Sequence, residues 1–370
     1  MVELVPNVPA TLLLGFAVPM LAGFVLDAYA RFAGRPLAVP AWSGPAWMAG
    51  TLAMTFPSLH EALLLVGAVA WLASMLPVAI QAMKHAPKET LVSDDPLTKG
   101  DDACFKHLVF AHRFLAIGLL LLVAGAASWF WPVAAHRLGV SAMHVLVIGY
   151  GLLASYGLAH LWVPRFSGIP AIAAGAIKGE LHSTLLGLTG LVLGFLTGIT
   201  GIMAGLGFFV FVGFFTFMGG IGANMMKNKS KTHQVTPEFV YIPFTFTAVF
   251  WLISAVLMGL FLNVVPDLFA DRYGDLVHLH LVAGILGGFV QLGIGLLTRG
   301  LPMAADVAPP RFQGNLRGAF FAFNGGLVLW LAAGFSNSPW ATAGLGLVAI
   351  GLMLLAPLAK LIPSNAVAPA

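Results

Sequence analysis

Between residues 9 and 361 the chain is cut into about ten apolar stretches of roughly twenty residues each, and that pattern leaves few folds open. A helix rising 1.5 Å per residue needs about 20 residues to cross a hydrocarbon core of about 30 Å. Backbone amides find no water at that depth, so each stretch must satisfy its own as a helix. The spans fall at about 9–32, 58–83, 107–131, 141–163, 180–198, 201–222, 239–264, 277–298, 317–336 and 341–361. The fold class expected is therefore all-α, a polytopic transmembrane helix bundle of about 10 spans.

Composition agrees. Hydrophobic residues make up 59% of the sequence and charged residues 9%, against roughly 25% charged in a soluble domain. A soluble protein this apolar could not cover its surface, whereas lipid covers a membrane protein. The formal charge of +4 is spread over short loops with no basic tract, so nucleic acid is not expected as a partner. The lone Cys104 allows no internal disulfide. Glu3 precedes the first apolar run without any Lys or Arg, unlike a secretory signal, so the first helix is expected to be retained.

The run from Ala46 to Met83 is too long for one span, and Pro57 stands where a helix should start. Residues 46–56 are therefore read as an interfacial or re-entrant piece, which leaves eleven spans as the alternative count. Residues 1–84 form a two-helix unit, 85–106 a polar cytoplasmic loop, and 107–370 an eight-helix bundle.

Cations orient the spans, because Lys and Arg collect in cytoplasmic loops. With the N-terminus inside, Lys84, Lys88, Lys99, Lys106, Arg113, Arg165, Lys178, Lys227, Lys229, Lys231, Arg299, Arg311, Arg317 and Lys360 lie on the inner side. Only Arg31, Arg35, Arg137 and Arg272 lie outside. Both ends are thus expected in the cytoplasm, with even-numbered spans running from outside to inside.

Ionisable side chains at membrane depth are costly, and histidine is also a common metal and haem ligand. His85, His107, His136 and His233 read as loop residues. His60, His144, and the pair His278 and His280 begin spans 2, 4 and 8, all even, which gathers them near the outer face. Residues i and i+2 point about 200° apart on a helix, so His278 and His280 cannot ligate one metal from one regular face. A second group, His112, His160 and His182, sits on spans 3, 4 and 5 toward the inner side, where it reads as a shared site or as membrane-edge polar residues.

The segment AMHVLVIGYGLLASYGLAHLWVPRFSG from Ala142 carries a helix-start histidine, Gly149 and Gly157, then Pro164 and Gly168 at its exit. It resembles the haem-ligand helix of haem–copper oxidase subunit I, and is closer in spacing to NnrS-type haem and copper membrane proteins of the nitric oxide response. HLHLVAGILGGFVQLGIGLLTRG, from His278, is similar to another histidine-led, glycine-rich helix of that superfamily, and AHRFLAIGLLLLVAGAASWFWP to the helix before the first ligand helix. Where that family opens with His-x-His, Ala142 takes the first position and His144 the second. Spans 6 and 7 hold no histidine to supply the superfamily's copper ligands, so oxygen reduction coupled to pumping is not expected.

The resemblance implies a haem b held axially by His144 and His280, with His278 as the alternate. Copper is a further expectation, and the metal ligands expected are His144, His278, His280 and His60. Glycines below each histidine would admit a porphyrin face, and Arg137, Arg272, Trp129 and Trp131 would meet its propionates. The implied roles are electron transfer or nitric oxide or oxygen metabolism, as an oxidoreductase if an enzyme. The partners are the lipid bilayer and a redox partner or other membrane subunit, and the setting is a bacterial or archaeal cytoplasmic membrane. Two other readings remain open. One is a non-catalytic haem-carrying subunit; the other is a cofactor-free transporter or channel, favoured by Pro243, Asn324 and Gln291 within spans.

Overall fold

The computed structural model describes residues 18–33, 37–55, 61–84, 100–228, 241–265, 271–304, 313–334 and 340–355. Every regular element among them is helical. Eight of these helices are long and apolar enough to cross a membrane. The protein is therefore an integral membrane protein, all-helical among the described residues, whose helix surfaces contact the lipid bilayer.

The chain divides into two compact units, residues 1–236 and 237–370. The first holds α1 (Val18–Ala33), α2 (Ser43–Thr55), α3 (Glu61–Lys84) and α4 (Asp101–Ala127). It continues with α5, a rod made of Pro132–His144, a π-helical stretch Val145–Leu152 and Leu153–Ser167, then α6 (Ala174–Thr197) and α7 (Thr200–Lys227). In the second unit stand α8 (Tyr241–Val264) and the rod α9, made of Tyr273–Val282, a π-helical stretch Ala283–Val290 and Gln291–Ala304. The hairpin α10 (Gln313–Gly334) and α11 (Trp340–Met353) completes it. The element order of the second unit repeats that of α4–α7: a helix, a histidine-led rod with a π-helical stretch, then two further helices.

Local chemistry explains the boundaries. Gly100, at φ 106°, takes the left-handed conformation that glycine tolerates, and the chain enters α4 directly after it. Asp101 and Asp102 then sit in the first turn, where the helix dipole favours anions. The helix thus begins six residues before the apolar run that the sequence marks, and His107 lies inside it, buried. This corrects the reading of His107 as a loop residue. The polarity of Asp101, Asp102 and Lys106 masks a helix whose buried face already includes Ala103, Cys104 and Phe105.

Small residues set the packing, as expected where lipid removes the hydrophobic drive between helices. A Cβ on Gly187, Gly190 or Gly194 of α6 would collide with Val210, Leu206 or Met203 of α7. Gly326 and Gly344 bring α10 and α11 together in the same way. Tyr29 of α1 donates a hydrogen bond of 2.9 Å to the Ala82 carbonyl of α3. Trp129 and Trp131 are exposed between α4 and α5, as in the aromatic belts of membrane interfaces.

Candidate functional site

The most concentrated polar chemistry lies between α4, α5 and α6. Gly157 of α5 lets that rod press against α4: a Cβ there would sit 2.8 Å from Leu108, 3.0 Å from the Cys104 carbonyl and 3.1 Å from His107 Cβ. One turn further on, His160 points at Glu180, whose helix α6 is held close by Thr184 against Gly213 of α7. Glu180 is the only acidic residue of α6.

The result is a carboxylate between two imidazoles. His160 Nε2 lies 2.9 Å from Glu180 Oε2, and His107 Nε2 lies 3.1 Å from Glu180 Oε1. All three side chains are at most 2% exposed. His107 Nδ1 donates to the Ala103 carbonyl at 3.1 Å, which fixes its tautomer because a carbonyl only accepts. Aromatic rings seal the group: Tyr156 is 6.5 Å from His107 and stacks at 4.2 Å on Phe217, which also meets the edge of His160 at 5.3 Å. Toward the helix ends, Arg165 pairs with Asp101 at 2.6 Å.

The second histidine group of the sequence is thus redistributed. His160 joins Glu180 and His107. His182, two residues beyond Glu180, is exposed and points elsewhere. His112 is fully buried, its Nδ1 bonded to the Leu108 carbonyl at 2.7 Å and its ring 5.7 Å from Tyr150. Its Nε2 is buried without a hydrogen-bond partner.

The histidines expected to hold haem are distributed over both units. His144 closes the first segment of α5, immediately before the π-helical stretch. Its Nδ1 lies 2.9 Å from the Val140 carbonyl and its ring 4.6 Å from Phe195. In the second unit His280 Nδ1 lies 2.7 Å from the Ala255 carbonyl of α8, and its ring occupies the space that a side chain at Gly259 would need. His278 turns the other way, edge-on to Trp330 of α10 at 5.5 Å. His60 lies outside the described residues. Among the described residues, no three His, Cys, Asp or Glu side chains converge as a metal site would require.

These positions fit haem in one respect and not in another. His112, His144 and His280 each give Nδ1–H to a carbonyl, the kind of hydrogen bond that orients a ligating imidazole. The glycines below the histidines do not form a porphyrin face. A Cβ on Gly149 would lie 2.7 Å from Phe114, and Gly287 and Gly288 are filled by Trp251 and Leu252. Arg137 donates to the Leu196 carbonyl at 3.1 Å beside the left-handed Gly198, closing the end of α6. Arg272 pairs with Asp275 at the surface.

The features that favoured a transporter also change meaning. Pro243 falls in the first turn of α8, where proline is tolerated and breaks nothing. Gln291 and Asn324 bond to each other, at 2.8 and 3.2 Å, and so satisfy one another between α9 and α10.

No protein-family model matches the chain, and no curated protein is similar to it at a significant level.

Proposed function

We propose that the protein is a haem-binding integral membrane protein of the haem–copper oxidase and NnrS-like type, serving electron transfer or nitric oxide or oxygen metabolism. Its ten spans run from an inner N-terminus to an inner C-terminus in a bacterial or archaeal cytoplasmic membrane. His144 in the first unit and His280 in the second, with His278 the alternate, are the residues that would hold haem. One observation supports this reading above others: in both rods a histidine just ahead of the π-helical stretch has Nδ1 on a carbonyl, that of Val140 in its own helix for His144 and that of Ala255 in α8 for His280. At His144 and at His280 a carbonyl takes Nδ1–H, fixing ring and tautomer and directing the Nε2 lone pair away from that bond. In both rods a π-helical stretch, of a kind frequent at functional sites, begins within three residues of the histidine.

Haem bound there would supply a one-electron couple and an affinity for small gases. The chain's own contribution is to orient the rings and exclude water. Phe195 buttresses His144, and the contact with Gly259 seats His280. A pyridine haemochrome spectrum of protein purified from haem-sufficient cells tests the assignment. A b-type spectrum supports it, and a spectrum without haem in protein that elutes as a single species refutes it.

A further inference from the structure

The trio His107, Glu180 and His160 poses a problem in donors and acceptors that the ligand reading of the histidines does not address. His107 carries its hydrogen on Nδ1, bonded to the Ala103 carbonyl, so in the neutral ring Nε2 is an acceptor. An ionised Glu180 only accepts, so opposite it His160 Nε2 carries the hydrogen and donates to Oε2. With Glu180 ionised, Oε1 and His107 Nε2 are then two acceptors facing each other at 3.1 Å, and neither has another hydrogen-bond partner. Both are fully buried, in helices that cross the membrane. An unpaired carboxylate at such depth is costly, and so is a pair of opposed lone pairs. A single proton between Oε1 and Nε2 removes both costs: it completes the bond and leaves the trio uncharged.

We infer that His107, Glu180 and His160 form a proton-binding site that holds one exchangeable proton between Glu180 Oε1 and His107 Nε2 at neutral pH. The rest of the surroundings leave that charge balance in place. On α4, Asp101 is paired with Arg165 of α5, and the Cys104 thiol donates to the Gly100 carbonyl. Tyr156 of α5 is a buried neutral phenol, and α7 faces the site with Phe217. No other cation reaches the Glu180 carboxylate among the described ion pairs. Access is short. His107 and Glu180 each lie six residues inside their helices, a depth of about 9 Å at 1.5 Å per residue. The Asp101–Arg165 pair stands at that end of α4 and α5. Loading transfers one proton from water to the Oε1–Nε2 pair, and unloading returns it. No redox partner or second ligand is required, so the site stands or falls independently of haem.

The test is spectroscopic, on the whole protein in lipid nanodiscs with isotopically labelled histidine and glutamate. At about pH 7 the site predicts one of two signatures: a carboxylic C=O infrared band that Glu180→Gln removes, or a doubly protonated His107 in ¹⁵N NMR that Glu180→Gln returns to the neutral form. Whichever is present should vanish reversibly on raising the pH; His107→Gln should displace the transition of a carboxylic band by at least tenfold in proton concentration, and should abolish an imidazolium signal altogether. His182→Gln should leave it in place. Wild-type protein alone decides the matter if the variants do not fold. An ionised Glu180 with two singly protonated imidazoles at about pH 7 overturns the proposal. Stoichiometric zinc bound by wild type but not by His160→Gln also overturns it, in favour of a metal site.

Discussion

Arg165 Nη2 and Asp101 Oδ2 are 2.6 Å apart although 64 residues of chain separate them. The pair joins the last turn of α5 to the first residue of α4, and the same guanidinium also donates to the Leu161 carbonyl. It thereby fixes the end of the two helices whose approach presents His107 and His160 to Glu180. Arg165→Ala removes the cation from a carboxylate that is only 6% exposed, at a cost of about 2–3 kcal/mol. Lysine keeps the charge but loses the fork, so Arg165→Lys should recover part of this. Detergent-unfolding midpoints of the three proteins should rank wild type, lysine, alanine; an alanine variant equal to wild type would show that the pair fixes nothing.

Glu180→Ala leaves two buried imidazoles without their shared carboxyl partner and should cost about 3–5 kcal/mol, whereas Glu180→Gln keeps an oxygen and an amide in place and should cost less. Thermal unfolding followed by monodispersity on gel filtration measures both. Equal losses would mean that the volume of the side chain matters there and its hydrogen bonds do not.

Much of this fold is legible in the sequence because hydrophobic length is an unusually direct signal: eight of the expected spans reappear as long apolar helices. The site is another matter. Glu180 and His160 are each visible as an ionisable residue inside an apolar run, but His107 is hidden by the acidic first turn that precedes it. What brings the three together is Gly157, and a glycine read along one helix does not say whether it faces a cofactor or a neighbouring helix. Here Leu108 and His107 answer that question. The paired amides of Gln291 and Asn324 make the same point, since two polar residues 33 positions apart can satisfy each other only in the fold. A signal that could have flagged the site was present: Glu180 is the lone carboxylate of its span, with two histidines on the preceding two spans at similar depth.

The α6–α7 hairpin rests on glycines with no room for a side chain. Gly190→Leu should abolish monodisperse protein, since even a Cβ there collides with Leu206. Gly201→Ala, where a Cβ meets open space, should express as wild type does. Yield from membranes, scored by gel filtration, distinguishes the two; a well-folded Gly190→Leu protein would contradict the packing described.

The histidine-led rods are most directly tested by the Soret absorbance of the purified protein beside its His144→Ala, His280→Ala and His182→Ala variants. Wild type and His182→Ala should show the same b-type band, because His182 is exposed and off the site, while His144→Ala and His280→Ala should each lose or shift it. An unchanged band in both ligand variants, or no band in folded wild-type protein, would contradict the account.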